Sequence, residues 1–180
     1  MKPIVHVPNA VLTTPSKTVT SFDKRLAQLI SDMKKILLGA SNPKGVGLAA
    51  PQIGENWRIF ITKPWERSRI RVFINPEIIK SSIERTDGVP GRDNKFEGCL
   101  SILKIWGKVK RIATISLRYY DQKGQKHEEE FKGFLATIIQ HETDHTNGIL
   151  FTQRVLEQKG KLYQTDKDKE GKEILEEISI

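Results

Sequence analysis

Apolar residues recur at helical spacing in two stretches of the chain, one early and one late. In "SFDKRLAQLISDMKKILLGA", residues 21–40, Leu26, Leu29, Ile30 and Met33 are followed by Ile36 and Leu37, which predicts an amphipathic helix. Ser21 is the expected N-cap and Gly39 the expected stop. In "GFLATIIQHETDHTNGILF", residues 133–151, Phe134, Ile138, His141 and His145 share one face, and Gly148 is placed to end the helix. Between the two, the pattern is that of strands. "WRIFITK" (57–63) and "IRVFINPEII" (70–79) read as strands, and Pro76 confines the second to an edge, a bulge or an end. "GCLSILKIW" and "VKRIATISLRYYDQKGQKHEEEF" carry further short strands, with a turn at 121–124. The polar stretch 80–96 reads as an exposed loop or hairpin, and "NPKGVGLAAPQIG" (42–54) is punctuated by glycine and proline. Helix, strands, more strands and a second helix, without strict alternation, predict an α+β domain. Mainly antiparallel sheets would wrap a central helix, and the order argues against a doubly wound fold.

The 180 residues suit one catalytic domain, placed at 1–156, followed by a charged tail at 157–180 that is expected to be partly helical. Ile174, Leu175 and Ile178 are the late apolar anchors of that tail. No apolar run approaches membrane-spanning length, and "MKPIVHVPNA" lacks the apolar core of a signal peptide, so a cytoplasmic location is expected. The formal net charge is +8, yet residues 157–180 hold five lysines against seven acids, so the body is the basic part. A basic body fits a solvated surface or an RNA-rich partner.

The late helix also contains "HETDH". Four residues apart on a helix, His141 and His145 can point two imidazoles at one ion, and Glu142 can reach a water without being a ligand. A catalytic site of this kind has three protein ligands and one open position. No histidine follows His145, and the downstream acids, beginning with Glu157, lie in the charged tail. Cys99, the lone cysteine, lies 42 residues before His141 in the glycine-flanked bend "EGCLS", a suitable place from which to present a thiolate. Cys–His–His is a sound donor set for Zn²⁺ or Fe²⁺. "GVGLAAPQIG" lacks the Lys–Ser/Thr end of a phosphate-binding loop and the full dinucleotide fingerprint. It offers tight backbone and Gln52, whose amide is suited to donating to an oxyanion.

"GVGLAAPQ", "EGCLS" and "QHETDH", in that order, resemble the three motifs of the peptide deformylase family, and the resemblance runs from about Leu12 to Val155. It implies a metal held by Cys99, His141 and His145, with Fe²⁺ in the cell and Zn²⁺, Ni²⁺ or Co²⁺ able to replace it. It implies catalytic roles for Glu142, Gln52 and the Leu100 backbone N–H. Gly47 would bond the peptide backbone, with Val46, Leu48, Phe134 and Ile138 as the apolar substrate-binding wall. The implied reaction removes the formyl group from the N-terminal methionine of new polypeptides and releases formate. N-formylmethionyl nascent peptides would be the partners, with transient ribosome association and no membrane, for a protein expected as a monomer with a dimer as the alternative. The chain departs from the family pattern after Ile102, where Leu103 stands in place of the usual proline, at Thr146, a common leucine position, and in "LKIWGKVKR". Leu103 and Trp106 are therefore expected to reshape the substrate-facing strand, and the 80–96 loop to line or cover the cleft. A related amidase or short-peptide hydrolase, or a non-catalytic ribosome- or RNA-associated module, are the alternatives at this level.

Overall fold

The early apolar stripe forms α1 (Lys24–Gly39), which buries Leu26, Ile30, Met33, Ile36 and Leu37. In this computed structural model, which describes residues 2–41, 44–91, 95–167 and 170–178, the helix starts later than its sequence suggests. Its cap is Asp23, not Ser21: Leu26 N donates to Asp23 Oδ1 at 3.0 Å, while Ser21 Oγ donates to Asp23 Oδ2 at 3.1 Å. A carboxylate at this position also complements the positive end of the helix.

Seven strands follow: β1 (Gly47–Ala49), β2 (Ile59–Thr62), β3 (Arg71–Ser81), β4 (Glu97–Cys99), β5 (Ile102–Gly107), β6 (Thr114–Tyr120) and β7 (Lys126–Lys132). Then come α2 (Gly133–Thr146), α3 (Phe151–Glu157), β8 (Leu162–Lys167) and β9 (Glu173–Glu177). They build two antiparallel sheets, β1-β2-β3-β6-β7 and β4-β5-β8-β9. The tail is therefore not helical over 162–167 or 173–177. It is a hairpin, and β8 pairs with β5 so that the hairpin extends the sheet carrying Cys99. The "GVPGRD" part of the 80–96 loop falls partly on residues 92–94, and the start of the glycine-rich stretch on 42–43, both outside the described residues.

Both faces of the five-stranded sheet are covered, which is why β2 reads as a continuous apolar run rather than an alternating one. Leu48, Ile59, Ile61 and Ile74 pack under α1. Ala49, Phe60, Phe73, Ile115 and Leu117 pack on the other side with Ala136 and Ile139 of α2. Pro76 is tolerated within this sheet because the register shifts between Ile74 and Glu77. Asn75 takes a positive φ of 52° at the bulge, and its side-chain amide exchanges two hydrogen bonds with the Val19 backbone at 2.8 and 2.9 Å. The turn at 121–124 is held by Asp121 Oδ1, which accepts from Lys123 N and Gln125 N at 2.8 and 3.0 Å.

α2 is buried nearly all round. A helix in that position cannot leave its polar side chains unpaired without cost. Gln140 is tied to the Ile112 backbone by bonds of 3.0 and 2.9 Å, and Thr146 Oγ1 donates to Thr143 O at 2.8 Å. Thr146 thus replaces a large apolar side chain by satisfying its hydroxyl within its own helix. The chain leaves α2 through Gly148, at φ +73°, where an added Cβ would lie 2.8 Å from the Thr13 backbone carbon and oxygen. Gly148→Ala is expected to lower the unfolding free energy by about 2–3 kcal/mol, from left-handed strain plus the backbone clash. An unchanged urea midpoint would contradict this account.

Candidate metal centre

The third packed cluster, Cys99, Ile102, Val109, Phe151, Val155 and Leu162, joins the four-stranded sheet to α3. At its border β4 meets the inner face of α2. Cys99 Sγ lies 3.1 Å from His145 Nε2, and one donor atom from each of Cys99, His141 and His145 falls within 4.8 Å of the others. Cys99 and His145 are buried, and His141 is 12% exposed at its side chain. The fit to a tetrahedral metal is chemical as well as spatial: one thiol and two imidazoles converge.

The His141 imidazole is held from behind, whereas His145 Nδ1 has no hydrogen-bond partner among the described residues. His141 donates from Nδ1 to Glu97 Oε2 at 3.0 Å, which leaves Nε2 for the triad. Glu97 is 4% exposed and receives two bonds from Arg111, Nε to Oε1 at 2.8 Å and Nη2 to Oε2 at 2.9 Å. Burial would push the Glu97 carboxyl up, but the Arg111 guanidinium reverses this and holds it down at about 2. Arg111 also donates to Asp144 Oδ2 at 2.5 Å, and Arg154 closes the chain on Asp144 Oδ1 at 2.7 Å. A row of alternating charges thus runs from His141 to α3.

Glu142 lies beside the triad and is not one of its three ligands. It is 3% exposed, and its Oε2 has no hydrogen-bond partner among the described residues. Burial raises its carboxyl to about 7. It packs against Gly47, where an added Cβ would come within 2.3 Å of Oε1. The glycine is needed for close approach of the carboxylate to β1, a demand that the first motif alone does not reveal.

Gln52 is oriented by its own backbone neighbourhood. Its Oε1 accepts from Ala49 N at 2.8 Å, which turns Nε2 toward Cys99 Sγ (3.4 Å) and Ser101 Oγ (3.3 Å). The amide therefore presents its donors to the metal side. A cavity of about 210 Å³ opens in front of this group. Val46, Gly47, Leu100, Phe134 and Ile138 line it together with Gln52, Cys99, His141 and Glu142. Leu48 does not join them. It is fully buried and packs under α1, because successive residues of β1 face opposite sides. Six residues with no role expected from the sequence also line it: Lys44, Gly45, Val89 from the 80–96 loop, Glu97, Gly98 and Thr137. Trp106 also lines the cavity, whereas Leu103 is half exposed.

An HExxH helix, a third ligand from a neighbouring sheet and a free carboxylate beside the triad define a metal-dependent hydrolase. The polypeptide deformylase family model matches residues 1–161. Peptide deformylase 1 of Bacillus subtilis is 40% identical over 174 residues, covering 95% of this chain and 99% of its own. A peptide deformylase of Treponema pallidum is 40% identical over 82% of this chain and 84% of its own. The crystal structure of peptide deformylase from Thermotoga maritima superposes with a TM-score of 0.76 at 34% identity, covering 86% and 97% of the two chains. The chain belongs to the peptide deformylase family, and its reaction is hydrolytic removal of the N-formyl group from N-formylmethionyl peptides. Among the described residues no helix is long and apolar enough to cross a membrane.

Proposed function

We propose that Cys99, His141 and His145 hold one Fe²⁺ ion in the cell, and that Glu142, Gln52 and the Leu100 backbone N–H carry out deformylation around it. The convergence of the Cys–His–His triad with the Gln52 amide turned toward it carries this reading. Zn²⁺, Ni²⁺ and Co²⁺ suit the same donors. The ion, when bound, supplies Lewis acidity and water of lowered pKa. Glu142 accepts the proton of the attacking water and returns it to the leaving amine, a role suited to a buried carboxyl raised to about 7. Gln52 Nε2 and the Leu100 N–H donate to the formyl oxygen as negative charge develops on it. Phe134, Ile138 and Val46 receive the methionine side chain, and Gly47 leaves room for the peptide backbone. A formyl carbon carries only hydrogen, so a cavity of about 210 Å³ shared with a methionine side chain discriminates against larger acyl groups.

The partners are N-formylmethionyl nascent chains, met in the cytoplasm by a monomeric enzyme. The net charge of +8 favours transient association with ribosomes. With protein prepared anaerobically in Fe²⁺, a formyl-methionyl peptide is expected to release formate while its acetyl counterpart releases no acetate. Metal analysis of the same sample is expected to give one ion per chain. Equal turnover of both peptides would refute the assignment of the cavity.

A further inference from the structure

The family match ends at residue 161, and the β8–β9 hairpin begins at Leu162. The hairpin nonetheless reaches the substrate cavity through one side chain. Trp106 on β5 lines that cavity, and its indole Nε1 donates to Thr165 Oγ1 on β8 at 2.7 Å. The register explains the contact. Trp106 stands opposite Tyr163, so Thr165, two residues on, lies diagonally on the same face of the sheet. The other side of the indole rests on Gly98, where an added Cβ would lie 2.6 Å from Cζ3, so the ring is seated one residue from the ligand Cys99. A second aromatic tie runs parallel to the first: Tyr163 stacks on Phe96, whose ring centroid is 4.9 Å away, just ahead of β4. Trp106 is thus held by the flat backbone of Gly98 on one side and by the hairpin on the other. A half-buried indole without its acceptor has other rotamers open to it, and those would change the width of the cavity.

We propose that the β8–β9 hairpin is a substrate-recognition element of this enzyme, and that Thr165 is the positioning residue that fixes Trp106 as a wall of the cleft. This rests on the reading of the cavity as the substrate site. The roles divide by chemistry: the hydroxyl fixes the indole, and the indole contacts the formylated peptide. Neither group touches the proton transfers at Glu142, so the effect belongs in substrate affinity rather than turnover.

The test is steady-state kinetics of the full-length, metal-loaded protein on a formyl-methionyl tripeptide, with Thr165→Val, Thr165→Ser, Trp106→Phe and Trp106→Ala. Thr165→Val keeps the shape of the side chain and removes the acceptor. It is expected to raise KM about fivefold, the effect of losing one hydrogen bond, with kcat within about twofold and metal content unchanged. Thr165→Ser restores the acceptor and is expected to restore KM. Trp106→Phe lacks the indole N–H, and adding Thr165→Val to it is expected to have no further effect on KM. This double variant keeps the proposal testable if Thr165→Val alone lowers stability. An unchanged KM in Thr165→Val alongside a raised KM in Trp106→Ala would overturn the coupling while leaving the cavity assignment intact. An unchanged KM in Trp106→Ala would remove the cavity assignment and the proposal with it.

Discussion

Replacing Glu142 by glutamine is expected to lower kcat on a formyl-methionyl peptide by roughly 10²–10⁴-fold, the usual worth of a positioned general acid–base, while the protein still binds its metal ion. The two halves of that expectation come from separate observations. Glu142 is outside the Cys99–His141–His145 triad, so its loss leaves all three ligands in place. Its side chain is clamped between α2 and Gly47, and glutamine has nearly the same shape, so the fold has no reason to adjust. What glutamine lacks is a carboxylate able to accept a proton and return it. Because the same group serves both the attack and the departure of the amine, KM is expected to move little. A loss of activity that tracks loss of metal, or a kcat within tenfold of the parent, would show that Glu142 is structural.

The chemistry of this site was more legible in the sequence than its support. His141, Glu142 and His145 announce themselves because a helix of known period fixes their spacing. Cys99 is identified by its bend and by the lack of a downstream ligand, and the triad forms. Leu48 was misplaced for a geometric reason. Its stretch is so dense in glycine and proline that it shows no strand period, yet β1 is a strand of three residues in which Gly47 and Leu48 must face opposite sides. The tail was hidden for a different reason. β9 exposes most of its side chains, so its charges carry no alternating apolar signal, and among the described residues of the hairpin only Leu162 is buried. Backbone pairing with β5, which no side-chain pattern encodes, makes it a strand pair. The row from Glu97 to Arg154 was invisible because its members lie on three elements and one connecting segment. Each reads as an ordinary surface charge until the fold buries it.

That row sets the largest expected effect on stability. Arg111→Met is expected to cost about 3–5 kcal/mol of unfolding free energy, because it strands Glu97 and weakens the hold on Asp144 in an interior that cannot solvate them. Both partners are nearly fully buried, 5% and 4% exposed for Arg111 and Glu97, so solvent offers no relief. For a chain of this length the melting temperature should fall by on the order of 10 °C. The surface pair Arg118–Glu128, 36% and 47% exposed, provides the control, and Arg118→Met should leave the unfolding transition nearly unchanged because solvent screens the pair. The consequence reaches the metal. Glu97 without Arg111 loses the charge that keeps it ionised against its burial, and a protonated Glu97 is a poor acceptor for His141 Nδ1. Metal affinity is therefore expected to fall roughly 10–100-fold, the usual cost of losing an outer partner of a ligand histidine. Chelator competition measured well below the melting temperature separates this from unfolding. Unfolding curves and chelator titrations that match the parent would show that the buried row neither stabilises the fold nor orients His141.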